Sequence, residues 1–191
     1  MSLFQVEFPS GLIYVPNWLS EEEHAAALEE IDNHQFESTL ARRVQHYGSR
    51  YDYFASELKD AGSAPPIPPV LSEIGSRLFS EGYFDKMPSQ VIINEYLTDQ
   101  GIASHIDKNT FGPAVATISL LESWTMQFSD PNGLKIEVPL EARSLAVMTH
   151  ESRYKWSHGI AKRKADVVGG LRIPRVRRLS MTYRTTDNPK L

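Results

Sequence analysis

Two hydrophobic periods divide the chain. In the first part apolar residues recur at helical spacing. Ser20 with Glu23 forms a capping box, which predicts a helix from there to about Asn33. Leu71, Ile74 and Leu78 share one face of a second predicted helix, from about Val70 to Phe79. Between them, Glu37 to Phe54 is rich in polar and aromatic residues and lacks a helical period. It reads as strands or as a long loop of the kind that often carries function. Ala64-Pro65-Pro66-Ile67-Pro68-Pro69 reads as a stiff loop. From Gln90 onward the period shortens to that of strands. Gln90–Tyr96, Val115–Leu121, Trp124–Phe128, Lys135–Pro139, Ser144–Met148 and Arg178–Arg184 are the predicted strands, and Asp130-Pro131-Asn132-Gly133 is a strong turn signal. The expected class is α+β, mainly β: two N-terminal helices packed on an antiparallel jelly roll, or double-stranded β-helix. At 191 residues the chain is expected to form one domain, with the helices and the irregular segment in residues 1–89 and the jelly roll in 90–186.

The last strand alternates strictly. Arg178, Ser180, Thr182 and Arg184 fall on one face, and Leu179, Met181 and Tyr183 on the other. The polar face is either an ordinary surface or the lining of a barrel mouth. In the second case two arginines could hold a dicarboxylate, because the guanidinium fork matches a carboxylate and stays charged. Asn94 and Tyr96 share a face of the first strand, and both can donate hydrogen bonds to a carboxylate. His105-Ile106-Asp107, with the more distant His158, is the two-imidazole, one-carboxylate set of a facial iron(II) site. The tripeptide is common by chance, so its weight depends on its surroundings.

Composition narrows the possibilities. There is no cysteine, which excludes disulfides, a zinc–thiolate site and a cysteine nucleophile. Hydrophobic content of 41% and charged content of 23% are ordinary for a soluble globular protein. The chain has no apolar run long enough for a membrane span and no secretion-signal pattern at its start. A cytoplasmic monomer is expected, or a nuclear one in a eukaryotic cell. Net charge is −4, yet Lys162, Arg163, Lys164, Arg172, Arg175, Arg177, Arg178 and Arg184 follow one another with only Asp166 against them. Arg42-Arg43 forms a second basic group. These are either solvated surface charges or one basic face for phosphates.

Taken in order, Asn94-x-Tyr96, Gly101-Ile102, His105-x-Asp107, Ile118-Ser119-Leu120, Ser152-Arg153, His158-Gly159-Ile160 and Arg178-x-Ser180-x-Thr182-x-Arg184 resemble an AlkB-type Fe(II)/2-oxoglutarate dioxygenase. The resemblance runs from about Arg42 to Arg184. It is strongest toward the branch that hydroxylates modified wobble uridine in tRNA, through Arg42-Arg43-Val44-Gln45-His46-Tyr47-Gly48, Gly101 to Asp107, Ser144 to Thr149, and Glu151 to Ile160. The resemblance implies iron at His105, Asp107 and His158. It implies 2-oxoglutarate at Asn94, Tyr96, Arg178, Ser180 and Arg184, with Arg178 on the far carboxylate and Arg184 near the iron-chelating end, and O2 as the oxidant. Ser180 stands where some members carry Asn, and Asn109 where some place an acid that contacts the base. The segment Arg42–Tyr53 resembles a nucleotide-recognition lid, in which Tyr47, Tyr51 and Tyr53 could stack on a flipped base and Arg42 and Arg43 could contact phosphate.

Three readings of function are open at this point. One is hydroxylation of modified wobble uridine, with tRNA favoured over DNA and a separate tRNA methyltransferase as partner. The second is oxidative demethylation of alkylated DNA or RNA bases. The third is a metal- or nucleic-acid-binding module without turnover. A dioxygenase of proteins or small molecules fits the lid and the basic stretch less well. Trp124 and Met126 are expected in the core, and His24, His34 and His150 are expected to be structural. His46 adjoins the lid and is undecided. Lys162-Arg163-Lys164 is either a phosphate contact or a solvated turn.

Overall fold

The computed structural model describes residues 8–38, 41–52, 57–59 and 64–186, with the side chains of 50–52, 57–59 and 168 excepted. The first element is β1 (Leu12–Val15). Helix α1 (Glu21–Asp32) begins where the sequence places it: the Ser20 hydroxyl accepts from the Glu23 N–H, and the Glu23 carboxylate accepts from the Ser20 N–H. Strand β2 (Arg43–Gly48) and the short pair β3 (Arg50–Asp52) and β4 (Glu57–Lys59) fill the irregular segment. Helix α2 (Pro69–Ser80) opens on proline, whose absent N–H costs nothing at that position, and buries Leu71, Ile74 and Leu78.

The remaining strands come in quick succession. They are β5 (Gln90–Tyr96), β6 (Ile102–His105), β7 (Phe111–Leu121), β8 (Trp124–Ser129), β9 (Lys135–Leu140) and β10 (Leu145–Met148). A short helix α3 (His150–Tyr154) leads to β11 (Ser157–Ile160), the hairpin β12 (Ala165–Val168) and β13 (Leu171–Pro174), and finally β14 (Arg178–Thr186).

Two antiparallel sheets form the jelly roll. The larger has the order β1-β10-β7-β14-β5-β2 and the smaller the order β6-β11-β8-β9. Leu12, Val115 and Met148 from the larger sheet meet Phe128, Val138 and Leu140 from the smaller one in an inner cluster. The outer face of the larger sheet is covered by the helices, where Ile31, Leu71 and Leu78 pack with Val91, Ile93, Ile118 and Tyr183. Strand β14 therefore has two buried faces. Leu179, Met181 and Tyr183 lie under the helices, and Arg178, Ser180, Thr182 and Arg184 face a cavity at the barrel interior.

The larger sheet does not begin at Gln90 as the periodicity suggests. Residues before it supply strands at both edges, with β1 paired to β10 and β2 paired to β5. Strand β7 starts at Phe111, several residues before the apolar run at Val115. Gly112 and Pro113 mask that start in the sequence. A Cβ at Gly112 would fall 1.9 Å from Thr185 Oγ1, so any side chain there would force Thr185 to turn away. Pro113 is tolerated because β10 pairs only with Val115–Ile118, leaving one side of β7 without a partner at that point. Among the described residues, no helix is long and apolar enough to cross a membrane.

Candidate active site

His105 ends β6, and His158 lies directly opposite it on β11. Cross-strand partners point to the same face, so the two imidazoles meet with ring centroids 4.5 Å apart. Asp107 sits just past the strand end, in the turn toward β7, and is buried. The pair sharing a strand register is thus His105 and His158, while Asp107 reaches the group from a turn. One ligand atom from each of the three lies within 4.8 Å of the others.

The protonation pattern suits a cation. His105 Nδ1 lies 2.9 Å from the Ala103 carbonyl, which can only accept, so Nδ1 carries hydrogen and Nε2 is the nitrogen left to face a metal. Burial depresses His158 to about 4, which keeps it neutral near pH 7. Burial alone would raise the Asp107 carboxyl. The Arg184 guanidinium, with the two imidazoles and Arg153, overcomes that and holds it below the usual carboxylate range. Two imidazoles and one carboxylate brought this close together are the donor set that iron(II) takes.

The trio stands at the wall of a cavity of about 530 Å³, within the usual range for a small-ligand site. The floor is the polar face of β14 with its neighbours. Ser180 pairs in register with Asn94, and Arg178 with Tyr96. Arg178 is 1% exposed. Its Nη2 donates to Ser119 Oγ at 2.8 Å, and its Nε is buried without a partner. No carboxylate among the described residues lies within ion-pair reach of Arg178. Burial lowers it only to about 10, so it stays charged. A buried, charged fork facing an open cavity is incomplete without an anion. A dicarboxylate with one end on Arg178 and the other near the His–Asp–His group fits that requirement. Arg184, by contrast, donates to Asp107 Oδ1 at 2.5 Å and stands beside the metal group.

Arg153, which the sequence offers only within the Ser152-Arg153 pair and without a role, contributes from behind. It is 1% exposed, and its guanidinium donates to the carbonyls of Asp107, Lys108, Phe111 and Gly112 at 2.8–3.2 Å. It therefore fastens the turn that carries Asp107. Met126, expected in the core, is only half buried and lines the cavity.

The expected base and phosphate contacts divide by strand alternation. Val44 lies opposite Asn94, so the even-numbered residues of β2 face the cavity and the odd-numbered ones face the helices. Arg42 lines the cavity and donates from Nε to Asn94 Oδ1 at 2.7 Å. Arg43 points the other way, onto Glu95 and the Phe36 ring, and its half-exposed side chain lies away from the cavity. Tyr47 is corrected: it is 4% exposed, packs under the helices and donates to Gln45 Oε1. His46 is buried on the cavity-side face of β2. Tyr51 has only its backbone described, in β3, and Tyr53 lies outside the described residues. Asn109 is exposed in the turn between β6 and β7.

The basic run from Lys162 to Arg184 is not one face. Arg163 and Arg175 both pair with the buried Asp166, at 2.5 and 2.6 Å. Arg177 pairs with Asp32 and Glu95. Arg178 and Arg184 line the cavity. Lys162, Lys164 and Arg172 remain as exposed cations.

Comparison with known proteins agrees with this arrangement. The 2OG-Fe(II) oxygenase superfamily profile matches residues 11–184. The chain is 38% identical over 169 residues to the tRNA (carboxymethyluridine(34)-5-O)-methyltransferase ALKBH8 of Mus musculus, covering 84% of this chain and 26% of that protein. It thus spans about a quarter of that relative's length. It is 27% identical over 153 residues to the probable RNA/DNA demethylase ALKBH6 of Danio rerio, covering 79% of this chain and 61% of that one. The solved structure of OsALKBH1 superposes with a TM-score of 0.71 at 17% identity, covering 94% of this chain and all of the other, which shows a shared fold. The chain belongs to the 2OG-Fe(II) oxygenase superfamily and is an AlkB-type Fe(II)/2-oxoglutarate-dependent dioxygenase.

Proposed function

We propose that this dioxygenase oxidises an alkyl substituent on a nucleic-acid base, and that the substrate is modified wobble uridine in tRNA. In this reading His105, Asp107 and His158 hold iron(II). Asn94, Tyr96, Arg178, Ser180 and Arg184 hold 2-oxoglutarate. With O2, these two supply the oxidising chemistry, at the cost of converting 2-oxoglutarate to succinate and carbon dioxide. The chain's own residues do the rest. Arg178 anchors the far carboxylate, Arg184 keeps Asp107 ionised, and Arg153 holds the turn so that the three ligands stay in place.

The observation that carries the choice of substrate is the charge at the cavity. Asp107 is the one carboxylate among the described residues that line it, and Arg184 already holds it. Arg42, Lys108 and Lys162 also line the cavity, and the neutral Asn109 stands in the turn nearby. A cationic N-methylated base would meet repulsion there. A neutral uridine, or one bearing a carboxymethyl group, would not. The identity to relatives named for carboxymethyluridine at position 34 of tRNA supports the same choice. A tRNA methyltransferase acting on the same uridine is the expected partner.

The test is mass spectrometry of nucleosides from tRNA and from N-methylated oligonucleotides incubated with the enzyme, iron(II), 2-oxoglutarate and air. Gain of one oxygen on the wobble uridine is expected. Loss of methyl groups from the oligonucleotides, with tRNA unchanged, would replace this reading by repair-type demethylation.

A further inference from the structure

We infer that Arg42 is a positioning residue for the cosubstrate: it sets the orientation of the Asn94 amide and thereby joins the segment before β2 to the 2-oxoglutarate pocket. The inference rests on the 2-oxoglutarate assignment proposed above and adds a residue to it. Register comes first. Val44 lies opposite Asn94, and Arg42, two positions earlier, falls on the same cavity-side face. Its Nε donates to Asn94 Oδ1 at 2.7 Å. A guanidinium has donors and no acceptor, so this contact can be made only by the oxygen of the amide. The side-chain amide is thereby locked in one of its two flips, with Nδ2 as the end left for a ligand. Among the described residues Asn94 Nδ2 has no partner, and Asn94 is buried on the cavity wall. The opposite flip would present an oxygen to a carboxylate and repel it.

A second contact points the same way. The Arg42 and Arg178 guanidinium carbons lie 5.9 and 5.5 Å from the centroid of the same ring, that of Tyr96. Arg42 thus touches two of the residues assigned to the cosubstrate. It also adds a second positive charge beside the counterion-free Arg178. The Arg42 Nε is committed to the pocket wall rather than turned to a phosphate in solvent.

The experiment is calorimetric titration of 2-oxoglutarate into the Mn(II)-loaded protein, which reads binding without turnover. Arg42→Ala is expected to weaken 2-oxoglutarate about tenfold, the usual scale for one oriented hydrogen bond to a carboxylate. Asn94→Ala should have a similar effect. The double variant should be little weaker than either single variant, because the two act as a unit. Arg42→Lys, which can still donate to Oδ1, should recover part of the loss. Unchanged 2-oxoglutarate affinity in Arg42→Ala, or effects of Arg42 and Asn94 that multiply fully, would overturn the inference alone. Failure of the wild-type protein to bind 2-oxoglutarate would overturn the proposed function and this inference with it.

Discussion

Arg178 shows how one residue can trade stability for a site. It is a charged group, 1% exposed, whose neighbours among the described residues are a serine hydroxyl and the Tyr96 ring, with no carboxylate. A buried charge costs several kcal/mol, and no counterion among the described residues offsets it. Arg178→Met, of similar length and without charge, is therefore expected to leave the ligand-free protein at least as stable as wild type. In the same variant 2-oxoglutarate should no longer raise the thermal midpoint. A variant that melts well below wild type yet still responds to 2-oxoglutarate would show that Arg178 is there for structure. The strict alternation of the last strand made this arginine visible in the sequence, and the His-x-Asp tripeptide marked the metal group. The facing of Arg43 and Tyr47 was not legible, for a related reason. Until the register of β2 on β5 is known, alternation cannot say which of two adjacent arginines faces inward.

Among the elements, the turn after β6 depends on a helix far away in sequence. Arg153, on the five-residue α3, holds four carbonyls of residues 107–112. Removing it leaves those acceptors buried and loosens the support of Asp107. Arg153→Ala should cost ~3 kcal/mol in urea unfolding and weaken Mn(II) binding as well. Arg153→Lys should recover less than half, because an ammonium cannot span the four acceptors. A loss below ~1 kcal/mol in the alanine variant would mean that the turn stands unaided. This role is hidden from sequence reading because its partners are backbone carbonyls, which look alike at every position. The helix itself is too short to show a period, and β6, β11, β12 and β13 are each four residues long. The long elements, α1, α2, β5 and β14, were legible because caps and periodicity act within them and need no partner.

At the level of the whole molecule, charge counting and charge placement disagree. The basic run suggests a phosphate-binding face, but folding consumes most of it. Asp166, Asp32 and Glu95 neutralise Arg163, Arg175 and Arg177, and two further arginines turn into the cavity. With a net charge of −4 and few exposed cations near the mouth, binding of an anticodon stem-loop should depend weakly on salt. A log–log slope of about −2 to −3 is expected from three or four phosphate contacts. A slope steeper than about −5 would mean that the basic run acts as one face after all. The counterion-free arginine has a last consequence, for turnover. Oxidative decarboxylation removes the carboxyl next to the keto group, and succinate keeps the one at the other end. On the proposed assignment, Arg178 grips cosubstrate and product alike, and only the metal-side contacts tell them apart. That assignment predicts product inhibition by succinate, which would tie the turnover rate to the balance of the two acids around the enzyme.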